Sequence, residues 1–226
     1  MIIPLEWQRK RALKKVTSKV ALDYLSTPLP DKKTPLKEVE YLALDFETTG
    51  LDPRKEKILS IGYTVLRDWK IRLGERGHYV INVGVPLPAS SVVIHQITDT
   101  DAQAGHRFKK IMKKLLKQMK GRVLLVHFAP IERGFLNAAT KALYGQSLPF
   151  RLVDTMDLAK TRLEMANPYI TPSDLRLFNL RKSHDLPRYN AHSALEDAIA
   201  TAELFLALMA PPLVNSPKMP LDKILS

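Results

Sequence analysis

The segment Tyr41-Leu-Ala-Leu-Asp-Phe-Glu limits what this chain can become more than any other. Tyr41 to Phe46 reads as a buried strand, and the period of two puts the side chains of Asp45 and Glu47 on one face at its C-terminal end. Two like charges side by side repel, so a buried pair needs a cation. A pair with this spacing arises by chance about 0.6 times in a chain of this composition, so the position tells more than the spacing. Hard divalent ions such as Mg²⁺ or Mn²⁺ prefer oxygen ligands of this kind. The chain has no cysteine. That removes disulfides, thiolate metal sites and cysteine nucleophiles, leaves oxygen and imidazole as donors, and is compatible with a reducing compartment.

With 226 residues, 45% of them apolar and 26% charged, the chain can bury a sizeable core as one domain with extensions. A net charge of +12 makes it distinctly basic. The apolar run Leu204 to Val214 is about half of the roughly 20 residues a membrane span needs, and Pro211 and Pro212 interrupt it. At the N-terminus, Met1 to Leu5 precedes the basic cluster Arg9, Lys10, Arg11, the reverse of a secretory leader. These features predict a cytoplasmic protein with no membrane partner.

Residues 1 to 39 divide into a basic, helix-compatible stretch, Leu5 to Tyr24, and a connector whose three prolines argue against packed structure. Strand-like runs follow at Tyr41 to Phe46, Lys57 to Leu66 and Gly77 to Val83. A helix is expected where Phe108, Ile111, Met112, Leu115, Leu116 and Met119 recur at helical spacing, then a strand at Arg122 to Phe128, a helix, a brief strand at Arg151 to Thr155, and further helices. The order βββαβα predicts an α/β domain with a mixed sheet, spanning 40–210, and a C-terminal tail at 211–226.

Two more segments place acids where apolar residues belong. In the last long helix, Asp197 lies on the stripe Ala194, Thr201, Leu204, Leu208, where an unpaired charge would be costly. Ser193 and Glu196 have the spacing of a capping box, which makes His192 the residue before the cap and brings it close to Asp197. A free imidazole beside a carboxylate is a candidate base, and an exposed loop histidine is the plainer reading. Glu132 shares a helix face with Phe135 and Leu136, just after Pro130, a residue suited to a helix start. Alone it is a first-turn glutamate favoured by the helix dipole. One metal centre would satisfy all three segments.

Together these residues resemble the DEDDh family of 3′→5′ exonucleases, similar to the proofreading subunit of bacterial DNA polymerase III, over roughly Glu40 to Ala210. Leu44 to Pro53 looks like the family's first motif, Ile94 to Thr98 like its I-H-G-I-T segment, and Asn190 to Ala198 like its third motif, H-x4-D. Arg151 to Thr155 and the helix after it match in order and spacing. The second motif departs: glutamate, Glu132, replaces the usual aspartate, and Phe128 replaces an asparagine. The resemblance implies a ribonuclease H-like α/β fold and a site with two Mg²⁺ or Mn²⁺ ions. Asp45 would bridge both ions, Glu47 and Asp197 would complete the first, and Glu132 would support the second. It implies His192 as the base and Phe46, Thr48, Thr49, Gly50, Leu51, His95, His127 and Phe128 as contacts to the terminal nucleotide. Phe128 is either a stacking surface for a base or plain core.

Between Ala102 and Ile131 there is no acid, while Arg107, Lys109, Lys110, Lys113, Lys114, Lys117, Lys120 and Arg122 supply eight positive charges. Two readings stand, a solvated helix face and a contact with nucleic acid. Leu13, Val16, Val20 and Tyr24 form either a docking face for a partner or a surface packed on the domain. The expected function is a metal-dependent 3′→5′ exonuclease releasing nucleoside 5′-monophosphates from DNA. The alternatives are an RNA exonuclease of the same chemistry and a catalytically weakened binding or polymerase-associated module. Expected partners are single-stranded nucleic acid or 3′ ends, with a polymerase or repair protein in loose association.

Overall fold

The computed structural model describes residues 3–86, 97–166, 169–189 and 192–226. Six strands form one sheet: β1 (Tyr41–Thr48), β2 (Ile58–Arg67), β3 (Lys70–Asn82), β4 (His106–Arg107), β5 (Val123–Val126) and β6 (Leu152–Asp154). Their order is β4-β3-β2-β1-β5-β6, with β1, β2 and β3 antiparallel and β4, β5 and β6 parallel to their neighbours. This is the mixed sheet expected from the element order. The helices are α1 (Leu5–Leu13), α2 (Lys19–Ser26), α3 (Asp99–Ala104), α4 (Phe108–Met119), α5 (Pro130–Tyr144), α6 (Thr155–Ala166), α7 (Leu177–Ser183) and α8 (Ala194–Asn215).

The sheet's two faces are sorted by the alternation along β1. Leu42, Leu44 and Phe46 point into a cluster with Met112 and Leu115 of α4 and Phe135 and Leu136 of α5. Tyr41 and Ala43 point the other way, onto Ala202, Phe205 and Met209 of α8. Asp45 and Glu47 continue that second set, so the parity read from the sequence is the parity of the fold. Among the described helices, α8 is long and apolar enough to cross a membrane. Its Ala202, Phe205 and Met209 pack on the sheet, and its Leu204 and Leu208 pack against Ala159 and Leu180.

β3 is longer than its apolar part suggests. Its first half, Lys70 to Gly77, is a charged outer segment that joins β2 through the two-residue turn Asp68–Trp69. Both turn residues have positive φ, 52° and 58°, the pattern of a type I′ hairpin turn. Trp69 stacks on Phe205 with ring centroids 5.7 Å apart, packing that holds a bulky residue in left-handed backbone. Arg67 and Arg122 bridge Glu40 and Glu75 across these strands.

Residues 3–39 and 211–226 pack against the described part of the 40–210 unit. Ala12, Val16, Ala21, Tyr24 and Leu25 are buried in the α4/α5 cluster, and the Tyr24 hydroxyl donates to the carbonyl of Pro149 at 2.8 Å. The face formed by Leu13, Val16, Val20 and Tyr24 therefore packs on the domain. The proline connector is ordered, contrary to expectation, because its backbone pairs with the tail. Pro35 and Pro220 form an antiparallel bridge, Leu36 N–H donates to Met219 O at 2.9 Å and Leu221 N–H to Thr34 O at 2.9 Å. Nor do the prolines stop α8, which continues to Asn215 with Leu213 buried. The tail ends alongside β6, where Ser226 N–H donates to Leu152 O at 3.1 Å and so covers that edge strand.

One glycine fixes the distance between sheet and last helix. Gly62 is the cross-strand partner of Asp45, and a Cβ there would fall 2.0 Å from the carbonyl carbon of Ala194 and 2.2 Å from the amide nitrogen of Leu195. The start of α8 thus rests on bare backbone beside Asp45. Gly62→Ala is expected to destabilise the protein by about 1–3 kcal/mol, the range for overpacking, read as a lower denaturation midpoint. An unchanged midpoint would show that the helix start is not seated on the sheet.

Candidate active site

Three segments distant in sequence meet at the C-terminal end of β1. Asp45 and Glu47 come from β1, Glu132 from the first turn of α5, and Asp197 from the first turn of α8. Ligand atoms of Glu47, Asp197 and His192 lie within 4.8 Å of one another. His192 is exposed and has a left-handed backbone, φ 71°. Its backbone N–H donates to Asp197 Oδ2 at 3.1 Å, which brings the two residues together as the spacing predicts. The means differs from the expected capping box. Ser193 is the N-cap but makes no side-chain cap hydrogen bond, and Glu196 Oε2 is buried with no hydrogen-bond partner. Asp197, one residue after Glu196, instead accepts from the N–H of the residue before the cap, His192.

The acids perturb one another. Burial, then Glu132, Glu47 and Asp197, push the Asp45 carboxyl well above the usual carboxylate range. Burial also raises Glu132 to about 8, with Asp154 and Glu47 adding to it and the backbone N–H groups of Glu132 and Phe46 opposing. Asp197 rises to about 6 through burial and Glu47, against the His192 N–H. Glu132 is 3% exposed and its Oε2 has no hydrogen-bond partner. A buried carboxylate oxygen without a donor among the described residues, amid acids that raise each other's pKa, fits a site that holds a cation. Oxygen donors with one imidazole beside them suit a hard divalent ion.

Glu132 and Phe128 are set by a residue the sequence reading missed. Asp154, 2% exposed at the end of β6, accepts from Phe128 N–H at 3.0 Å, Ala129 N–H at 2.7 Å and Met156 N–H at 2.9 Å. This clamp holds Phe128 in left-handed backbone, φ 77°, and presents its ring 43% exposed, so Phe128 is a surface and not core. Strain of this kind collects at functional sites. The available signal was an acid directly after Leu152 and Val153, at the end of the strand expected at Arg151 to Thr155.

Two expected substrate contacts are corrected. Phe46 has the opposite parity from Asp45 and Glu47, so its side chain is buried in the core cluster. His127 uses both ring nitrogens within the protein, Nε2 with Leu175 O at 3.0 Å and Nδ1 with Thr155 Oγ1 at 2.8 Å. The carbonyl can only accept, so Nε2 carries the proton. Burial lowers the pKa of the ring, and Thr155 Oγ1, beside Nδ1, donates its own hydrogen to Val126 O at 3.0 Å. His127 therefore ties β5 to α6 instead of facing a ligand.

The turn after β1 is built from its own polar groups. Thr48 Oγ1 donates to Gly50 O at 2.7 Å, and Thr49 Oγ1 donates to Glu56 while accepting from Lys57 N–H at 2.9 Å. Leu51 stands 76% exposed beyond them. His95 lies outside the described residues. A second unanticipated group is His78, across from Gly62 in the row Asp45–Gly62–His78. Burial lowers its pKa, and Glu47 and Glu196 oppose that shift. On α4, Lys114 lies over the Tyr79 ring at 4.8 Å, and Lys120, its C-cap, pairs with Asp23 at 2.7 Å.

The central strand of a mixed, ribonuclease H-like sheet thus delivers two acids to a cluster completed by two flanking helices. Residues 42–205 match the family described as Exonuclease, of the RNase T type, and the chain belongs to that family. The chain is 30% identical over 129 residues to the 3′-5′ exonuclease DinG of Staphylococcus haemolyticus, covering 57% of this chain and 14% of that protein. It is 29% identical over 136 residues to a DNA polymerase III subunit epsilon-like protein of Rhodobacter capsulatus, covering 60% and 19%. The chain thus spans less than a fifth of either relative. Its fold is similar to the nuclease domain of 3′hExo, a DEDDh family member bound to rAMP, with TM-score 0.65, 14% identity, and coverage of 82% of this chain and 96% of that one.

Proposed function

We propose that this chain is a 3′→5′ exonuclease that releases nucleoside 5′-monophosphates from DNA, using two divalent ions, Mg²⁺ or Mn²⁺. The observation that carries this reading is the convergence of Asp45, Glu47, Glu132 and Asp197 from three separate segments, beside the exposed His192. Asp45, Glu47 and Asp197 would hold one ion, and Asp45 with Glu132 the other. Ions bound there supply positive charge that acidifies the attacking water and stabilises the leaving 3′-oxygen.

The protein's own groups do the rest. His192, exposed beside Asp197, takes the proton of the water that attacks the terminal phosphorus, and the bond from phosphorus to the 3′-oxygen breaks as the new one forms. The clamp of Asp154 on the Phe128–Ala129 turn keeps Glu132 directed inward and leaves the Phe128 ring available to stack on the terminal base. Thr48, Thr49, Gly50 and the exposed Leu51 border the same nucleotide. The name of one relative, a DNA polymerase III subunit epsilon-like protein, supports DNA over RNA and a polymerase as partner.

The test is digestion of 5′-labelled single-stranded DNA and RNA of matching sequence with Mg²⁺, Mn²⁺ or EDTA, alongside Asp45→Ala. A metal-dependent ladder shortening from the 3′ end, faster on DNA and absent in the variant, is the expected result. A faster RNA ladder replaces the substrate assignment. Binding without cleavage under either metal would mean a weakened binding module, with Glu132→Asp as the reversion to try.

A further inference from the structure

Beside the acid cluster, between α7 and the start of α8, lies a cleft of about 430 Å³ with His192 and Asp197 at one end. The segment 185–189 also lines it, and Arg181 ties that segment to α8. Arg181 is 5% exposed, donates to Ala200 O at 2.8 Å and Pro187 O at 2.6 Å, and pairs with Glu203 at 2.8 Å. Its guanidinium also lies 4.8 Å from the centre of the Tyr189 ring, whose hydroxyl donates to Glu203 at 2.7 Å. The wall is thus fixed to α8, and the charge of Arg181 is spent inside the protein.

What the cleft offers a ligand is different in kind. Arg176, Lys182 and Arg188 line it without an ion pair among the described residues, against Asp185 as the one acid besides Asp197. Phe178 is 47% exposed, and the Arg188 guanidinium sits 5.3 Å from its ring centre. Cations around an exposed aromatic face fit a molecule that is both anionic and planar, and the volume suits a single small unit.

We propose that this cleft is a subsite for one nucleotide of the single strand, adjoining the nucleotide being removed. Its base stacks on Phe178 and its phosphates are met by Arg176 and Arg188. The cleft's opening onto His192 and Asp197 orders the two sites along one strand. This rests on the exonuclease reading above, and the test separates the two.

The experiment compares the full chain with Phe178→Ala and Arg188→Ala on two substrates: a 5′-fluorescein oligothymidylate, and the p-nitrophenyl ester of thymidine 5′-monophosphate, which has no second nucleotide. KM for the oligonucleotide relative to the ester is expected to rise about ten-fold in Phe178→Ala, the scale of one lost stacking contact. In Arg188→Ala the salt slope of oligonucleotide binding is expected to fall by about 0.7, one phosphate contact. Equal losses on both substrates would mean a purely structural role, and an unchanged ratio with an unchanged slope would mean no subsite; either overturns the proposal. If the unaltered protein cleaves neither substrate, the exonuclease reading fails instead. Fluorescence anisotropy of the labelled oligonucleotide in EDTA then decides the cleft, with about ten-fold weaker binding expected in Phe178→Ala and equal binding overturning it.

Discussion

Asp45→Asn is expected to lose at least about 10³-fold in phosphodiester hydrolysis and yet to melt later than the unaltered protein in EDTA at pH 8. The loss corresponds to about 4 kcal/mol of transition-state stabilisation, the scale of a metal-borne charge no longer held in place. The gain follows from repulsion, because Asp45 shares its surroundings with Glu47, Glu132 and Asp197 and is raised by all three. Removing its charge relieves the others, and about 1 kcal/mol moves a domain of this size by roughly 2–4 °C.

The sign with pH is fixed by the direction of the shifts. Glu132 and Asp197 have folded pKa values of about 8 and about 6, above their unfolded values. Their contribution is therefore fully present below about pH 4 and is lost as pH rises through those folded values. In EDTA the melting temperature should fall between pH 5 and 8.5, and less steeply in Asp45→Asn. Adding Mn²⁺ at pH 8 should raise the unaltered protein and leave the variant nearly unmoved. A variant that melts earlier than the parent in EDTA would mean that the acids are paired by something other than a metal.

His192→Ala is expected to lose about 10²- to 10⁴-fold in turnover, the usual contribution of a positioned base, while keeping the Mn²⁺-induced rise in melting temperature. The substitution is clean for a structural reason. His192 meets Asp197 through its backbone N–H, which alanine retains, so the carboxylate keeps its partner when the imidazole is removed. Unchanged turnover would remove His192 from the chemistry, and a lost Mn²⁺ response would make it a ligand instead.

Much of this was legible in the sequence because it followed from periodicity. The parity of β1 gave the shared face of Asp45 and Glu47, and the stripe on α8 gave the inward position of Asp197. What escaped depended on groups that meet only in the fold. Nothing in the sequence says that the amides of Phe128 and Ala129 lie beside Asp154, or that Gly62 must be bare because the start of α8, at Ala194, rests on it. Phe46 and His127 were assigned to the substrate by resemblance to a motif, although the alternation already turned Phe46 away. The prolines at 28, 30 and 35 read as breakers, and a backbone partner from the far end of the chain made them part of the packed structure.

The pairing of Thr34 to Leu36 with Met219 to Leu221 bears on how the molecule can be shortened. The segment recognised as exonuclease, 42–205, stops partway along α8, before Met209 and Leu213 reach the sheet, and leaves out Leu36, Val39, Leu221 and Ile224 of the same cluster. A protein cut at those limits would lose Tyr41 and bare the face that Ala43 shares with Asp45. The portion that carries the family's signature is smaller than the portion that must fold together, and a truncation drawn from the first would be expected to aggregate before it could be assayed.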